Sequence, residues 1–481
     1  MNVNDRDDAR GSCSRDRRSR PEDASGSGEA ATNGRGYSGT STGAVFCSRD
    51  GSSRPEDPPV AGRPGYKWEL LALLFFAFFF HQGDRAIYGV VLPAIKADLG
   101  VSDSQLGLVG SVLFATLALM MPVAGYLGDV WNRKRIIVGS LLFWSVATML
   151  TGFAGGVGGL IAFRSVATAG GESFYAPAAY PLIAAHHTRT RSIALSVHQA
   201  SLYIGVMVSG FIGGFIADQW GWRSAFYVFG AGGIVLGLVL AVRLLDAPPP
   251  ARVEGGGTVS PVQALGVLFR SPSALLLTAG FTAIVFVNNA YVVWAPVFLK
   301  ERFDLSLAQA GGYAMSWHHA AALGGILLGG WLSDRFAAAR PVFRLQLMSG
   351  AMLLGAPVIV LLGRADALVA ACTAMAGFGF FRGLYEANTH AALFEVIAPK
   401  FRASAVGIMT MLAFLTGSLS PWLLGRLRET HAAGQGLGLG FSALGGAYVI
   451  GGIAVLCAAL FTFRRDRVKE EGDSKLQGSG T

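Results

Sequence analysis

Three long apolar stretches of this chain carry ionisable residues in their interiors, where a carboxylate or guanidinium needs a reason to be. The first is apolar from Leu70 to Phe80, and then His81-Gln82-Gly83-Asp84-Arg85 appears before the apolar run resumes. The second holds Arg164 and Glu172 with Tyr175 beyond, and the third holds Arg382, Glu386 and His390 at successive i, i+4 positions, flanked by Tyr385 and Asn388. A carboxylate shielded from bulk water can take up a proton on one side of a barrier and release it on the other. An arginine keeps its charge, so it suits a carboxylate ligand or a carboxylate partner. On a helix Asp84 and Tyr88 share a face, with Arg85 turned about 100° away, and Gly83 leaves room for a close partner. No Ser/His/Asp set, metal-ligand spacing or Gly-x-x-x-x-Gly-Lys-Ser/Thr motif occurs at a common depth. We therefore expect no enzymatic activity, metal or cofactor, and no pumping driven by ATP. The four cysteines divide between a polar tail (Cys13, Cys47) and apolar runs (Cys372, Cys457) and carry no assigned chemistry.

The elements that must position these residues are membrane helices. Of 481 residues, 52% are apolar and 14% charged, 65 are glycine, and mean hydropathy is +0.47. That is more apolar surface than a soluble core of this length buries. A crossing helix needs roughly 20 residues, and on that basis the sequence predicts twelve spans. The first six cover 68–92, 104–127, 135–154, 157–183, 191–217 and 223–245, and the second six cover 273–299, 307–332, 342–363, 366–396, 402–426 and 439–463. The expected organisation is a disordered tail over 1–65, a six-helix bundle over 66–245, a loop between bundles over 246–271, a second bundle over 272–464 and a tail over 465–481. The tail is too polar to repay the entropy of folding, and its repeats with a period of 34, such as Cys13-Ser14-Arg15-Asp16 and Cys47-Ser48-Arg49-Asp50, read as local duplication.

Lysine and arginine cluster on one side of this arrangement, among them Arg133, Lys134, Arg135, Arg189, Arg335, Arg344, Lys400 and Arg464. By the positive-inside rule that side is cytoplasmic, and both termini lie there. The net charge of +9 is accounted for by topology, so nucleic acid is not an expected partner. The expected partners are a small-molecule substrate, protons and the lipid bilayer, and the expected location is the cell (inner) membrane.

Gly125-Tyr126-Leu127-Gly128-Asp129-Val130-Trp131-Asn132-Arg133-Lys134-Arg135 joins the second and third spans, and Gly330-Trp331-Leu332-Ser333-Asp334-Arg335 follows the eighth with the same Gly-to-Asp spacing of four. Twelve spans in two halves, a long central loop, this repeated turn, and Gly221-Trp222-Arg223-Ser224-Ala225-Phe226 opening span six resemble the major facilitator superfamily of secondary transporters over residues 66–465. The fold class implied is an all-α membrane protein of two pseudo-symmetric six-helix bundles, acting as a monomer by alternating access. Val130 and Asn132 depart from the motif, which has a basic residue and a glycine there. The resemblance makes Gly125, Asp129, Arg133, Asp334 and Arg335 gating residues that latch the cytoplasmic side in one state. The alternative is that these charges merely stop the helices sliding into lipid.

Asp-Arg in span one with Arg and Glu in span four resembles two branches of that superfamily, the organic anion and proton symporters for hexuronates and other sugar acids, and the Spinster-like lipid transporters. The comparison implies that Asp84 and Glu172 are the protonated carboxylates and that Arg85 and Arg164 pair with them or with an anionic substrate. In both branches the arginine and acid of span four stand seven apart, whereas here the spacing is eight, so a bulge, for which Gly170-Gly171 offers a place, is required to keep both on one face. Tyr88, Tyr175, Gln199, Asn288, Asn289, Arg382 and Glu386 complete the candidate substrate site, with Glu386 equally open to a role as an internal ion pair. His198, Tyr203, Trp317, His318 and His319 are weaker candidates, and at most one of the two adjacent histidines is expected to face a cavity. The function expected is proton-coupled symport of a small organic anion, a sugar acid such as a hexuronate, with a Spinster-like lysolipid or sphingolipid carrier as alternative and a non-transporting receptor of the same fold as a lesser one.

Overall fold

The structure, a computed structural model, describes residues 65–245, 261–337, 339–431 and 435–468, without the side chains of Asp129, Pro261, Val262 and Ala264. The expected tails, most of the 246–271 loop and the expected Asp129 latch lie outside the described residues. The described chain is helical and contains no strand. Ten helices are long and apolar enough to cross a membrane.

In the first half α1 is Tyr66–Leu99, α2 Asp103–Val130, α3 Arg133–Thr151, α4 157–186, α5 Arg191–Trp220 and α6 Trp222–Arg243. A short helix, Pro261–Arg270, occupies the end of what the sequence reads as a loop. The second half holds α7 Pro272–Phe303, α8 Leu307–Phe336, α9 Val342–Gly363, α10 Leu368–Val396, α11 Pro399–Thr430 and α12 Gln435–Asp466. Several helices outrun their expected limits. With 34 residues, α1 is about 51 Å long at 1.5 Å per residue, against a hydrocarbon core of about 30 Å, and it continues past Pro93 to end at Gly100.

The halves repeat each other in detail. α1 ends at Gly100 with φ 62° and α7 ends at Asp304 with φ 50°, both left-handed, so the chain reverses within three residues in each half. In each half a capping box then opens the next helix, Ser102 with Gln105 and Ser306 with Gln309, satisfying the first free N–H groups. Pro93 and Pro296 lie near the ends of α1 and α7.

The halves pack through α2 against α11, α5 against α8 and α1 against α7. These contacts concentrate at the end of the molecule that carries the α1–α2 turn. A Cβ on Gly107 would stand 2.4 Å from the Pro421 carbonyl, and one on Gly311 2.3 Å from the Gly210 carbonyl, so glycine is what lets the backbones meet. Gly325 and Gly329 serve the same purpose between α8 and α10, whereas Gly324 and Gly330 face open space. Trp131 and Trp331 at one end, and Trp220 at the other, are exposed, as expected of rings at a membrane–water boundary.

Candidate functional site

The acid and base residues of α1 and α4 come together as a buried tetrad. Arg85 donates from Nε to Glu172 Oε2 at 2.8 Å, with side-chain exposures of 19% and 0%. Arg164, wholly buried, donates from Nη2 to the backbone carbonyl of Asp84 at 2.6 Å. Asp84 Oδ2 accepts from Thr148 Oγ1 of α3 at 3.0 Å. Gln82 donates to His81 Nδ1 at 3.0 Å and His81 Nε2 donates to the Glu172 carbonyl at 3.0 Å, which together set the neutral ring's tautomer. Two carboxylates and two guanidiniums balance, yet Asp84 Oδ1, Glu172 Oε1 and Arg164 Nε and Nη1 have no protein partner. Removing such groups from water is costly unless they are paired.

The bulge required by the spacing of eight is present, upstream of the glycines. Leu160–Ala167 winds as a π-helix, and the N–H of Thr168 reaches back five residues to the Phe163 carbonyl, enclosing 164–167 in a wide turn. One residue is absorbed, so Arg164 and Glu172 both face α1. Gly171 has a separate purpose: a Cβ there would be 2.8 Å from Phe143 and 3.0 Å from Trp144.

Three candidates for substrate contact are buried in this conformation and have no exposed polar atom. Tyr88 donates to the Leu106 carbonyl at 2.8 Å and lies under the Arg164 guanidinium. Tyr88 and Asp84 share a helical face but engage different neighbours. Tyr175 donates to the Leu74 carbonyl at 2.7 Å and stands beside His198, itself stacked on Phe78 at 4.6 Å. Arg164 is committed to Asp84. Half-buried Gln199 accepts from Tyr180 at 2.7 Å.

In the second half Arg382 pairs with Glu386 at 3.2 Å, with side-chain exposures of 11% and 36%. Its Nη1 donates to His318 Nε2 at 3.0 Å, which leaves the His318 proton on Nδ1. His319 is held against the Met315 carbonyl at 2.8 Å, and both histidines are buried. His390 is exposed. Asn288 is half-buried with an unpartnered Oδ1, and Asn289 is wholly buried with neither amide atom partnered. Among the described residues no group of histidine, cysteine and acid side chains has a metal-binding arrangement.

The two halves are tied together at the α1–α2 end by residues not among the candidates read from the sequence. Asp218, at the end of α5, accepts from the N–H groups of Leu307 and Ala308 at 3.0 and 2.9 Å and so caps α8 of the other half. Glu429, at the end of α11, accepts from Ser104 N–H at 2.8 Å and so caps α2 of the first half. Between them Arg428 bonds to both Asp103 and Glu301, and Lys96 reaches Asp103 at 2.7 Å. The two capping boxes and the acids ending α5 and α11 were the available signal. At the opposite end Gly125 faces open space and Asp334 and Arg335 are exposed. The hydrogen bonds found between the halves, among the described residues, all lie toward the α1–α2 end. The latch expected of Arg133, Asp334 and Arg335 is thus not engaged in this conformation.

A family model described as the Major Facilitator Superfamily matches residues 74–421. An "MFS-type efflux pump" of Mycolicibacterium smegmatis is 28% identical over 420 residues, covering 85% of this chain and 96% of that protein. "Protein spinster homolog 1" of Xenopus tropicalis is 28% identical over 433 residues, 84% of this chain and 82% of that protein. Its human counterpart is 31% identical over 245 residues, about half of either chain at 49% and 46%. A crystal structure of a bacterial homologue of the human lysosomal transporter Spinster, inward-facing and unoccupied, superposes with a TM-score of 0.70 at 22% identity, covering 85% of this chain and all of that one.

Proposed function

The chain belongs to the major facilitator superfamily of membrane transporters, and from that premise we propose that it moves an organic anion by alternating access, coupled to protons in symport. The observation that carries this reading is the Arg85–Glu172 pair. Arg85 cannot lose its charge, so in a dry site it must be neutralised either by Glu172 or by an anionic cargo. When an anion takes Arg85, the displaced Glu172 carboxylate is stabilised by taking a proton. One proton and one anionic group then occupy the site together, which is symport. Asp84, with one free oxygen beside Arg164, is the second proton position. Arg382 is the clamp of the second half.

On the positive-inside reading the α2–α3 end and both termini are cytoplasmic, the bonds between the halves lie at the outward end, and the working unit in this proposal is the monomer. Similarity to a Spinster protein over 82% of that protein's length supports the Spinster-like alternative, an amphiphilic anion of the lysolipid kind, over the sugar acid. The sugar-acid reading retains the half-buried Arg382–Glu386 pair and the free Asn288 amide, which suit a hydroxylated anion.

The test is thermal stabilisation of the purified protein across hexuronates, aldonates, neutral sugars and lysophospholipids, since a ligand that binds the folded state raises its apparent stability. The expected result is a shift with lysophospholipids that is lost in Arg85→Gln. A shift with sugar acids lost in Arg382→Gln would reverse the choice of cargo. No shift with any anion, or shifts unaffected by both substitutions, would overturn the anion site.

A further inference from the structure

A wide concavity lies not in the tetrad but on the side of the first half. It is an apolar groove of about 1000 Å³ between the ends of α2 and α3 and the middle of α4. α3 packs chiefly against helices of its own half, so the groove opens away from the second half. Its walls include Phe143, Val166 and Trp131, all more than 45% exposed. Gly139 and Gly170 line it, and a Cβ at either would meet nothing within 4 Å. The groove is thus deepened by two missing side chains.

One rim is cationic. α3 begins with Arg133, Lys134 and Arg135 and has no acid in its first turn, although a helix N-terminus already carries partial positive charge and favours acids there. Arg135 is exposed, lines the groove, and has no side-chain partner among the described residues. Nearby, Asn132 is committed to capping α3 through Arg135 N–H at 2.9 Å. An apolar trough ending in an unpaired guanidinium complements a molecule with an acyl chain and an anionic head.

We propose that this groove binds an anionic phospholipid of the bilayer, its acyl chain against Gly139 and Gly170 and its phosphate on Arg135. The wall it fills, Val166 to Gly171, is the outer face of the segment whose inner face carries Arg164 and Glu172. Occupancy therefore bears on the coupling residues from behind and makes transport sensitive to lipid charge.

The experiment uses the full chain, delipidated and titrated with phosphatidylglycerol or phosphatidylcholine, with bound lipid and melting temperature as readouts. Phosphatidylglycerol is expected to bind and stabilise where phosphatidylcholine does not. Gly139→Leu and Gly170→Leu, which place a side chain in the groove from positions where a Cβ meets nothing within 4 Å, are expected to abolish the difference. Arg135→Gln, which needs no repacking, is expected to weaken phosphatidylglycerol binding about tenfold, the worth of one charge-assisted hydrogen bond. Equal stabilisation by the two lipids, or a preference for phosphatidylglycerol that survives Arg135→Gln, overturns the proposal.

Discussion

Asp103→Asn tests whether the charged network at the α1–α2 end is a gate. Asp103 has a side-chain exposure of 7% and sits between Arg428, at 14%, and Lys96, at 40%. Replacing the carboxylate by an amide keeps the shape and removes the charge from both contacts. Truncating a buried pair outright costs about 3–5 kcal/mol. Arg428 keeps Glu301 as a second partner, so a loss of about 2 kcal/mol is the reasonable figure, intermediate between that and an exposed pair. Arg428 and Asp103 belong to opposite halves, so their bond exists only while this end is closed. The loss therefore falls on one conformer and shifts the balance between conformers by about thirtyfold, at 1.4 kcal/mol per factor of ten. Spin labels on Gly155→Cys and Ala367→Cys, exposed loop positions of opposite halves at this end, read the separation directly. The expected outcome is a second, longer distance in Asp103→Asn that is absent in the parent. An unchanged distance distribution, whether or not melting temperature falls, would show that the network supports the fold and does not govern the gate.

Asp218→Asn removes charge from the α8 cap at an exposed position, and a shift in the same direction of about fivefold is expected from roughly 1 kcal/mol of cap energy, measured with the same labels. Deleting Val166 should convert the wide turn of α4 to regular helix and keep Arg164 and Glu172 facing α1, so transport in vesicles should survive. Inserting one alanine after Ala167 turns Glu172 away by about 100° and should abolish transport, and equal loss in both variants would refute the bulge. Glu172→Gln should stop proton-driven accumulation while leaving exchange of cargo across the membrane, whereas Arg85→Gln should stop both; undiminished accumulation in Glu172→Gln would sink the coupling scheme. Asn289→Leu replaces a wholly buried amide with no partner, whose burial costs about 1–3 kcal/mol, and should raise melting temperature, while a fall would mean that the amide is satisfied.

The helices were legible because the bilayer sets one length scale and the apolar runs repeat it. What the sequence left obscure depends on which backbone meets which. The spacing of eight in α4 announced that a residue had to be absorbed, and the glycines at 170 and 171 looked like the place. The wide turn lies earlier, over Leu160–Ala167, while Gly171 sits in regular helix against Phe143 and Trp144. Likewise helical periodicity put Asp84 and Tyr88 on one face, but that face spans the seam between α2 and α3, so the carboxylate met Thr148 and the hydroxyl met Leu106. The cross-half caps showed in the sequence only as capping boxes and acids at helix ends, with nothing to pair them. Asp218 and Glu429 are ordinary acids near helix ends until the halves are packed at that end of the molecule.

The two halves share turns, capping boxes and prolines, yet they divide their chemistry unequally, and the division has a physical consequence for transport. In the first half two acids and two arginines are mutually neutralised and shut away, Glu172 completely. Any change of protonation there alters net charge in a dry site and so carries a large conformational penalty or reward. In the second half the position matching Asp84 is filled by Asn288 and Asn289, which cannot titrate, and the Arg382–Glu386 pair is left open through Glu386 at 36% exposure. A change of ligand there alters hydrogen bonds but not the charge of the bundle. On the proposed reading the first half senses the proton and the second discriminates the cargo, so substitutions at Asn288 and Arg382 should change which anions are carried without changing how steeply uptake depends on pH. A set of variants in the second half that altered the pH dependence as strongly as Glu172→Gln would refute that division.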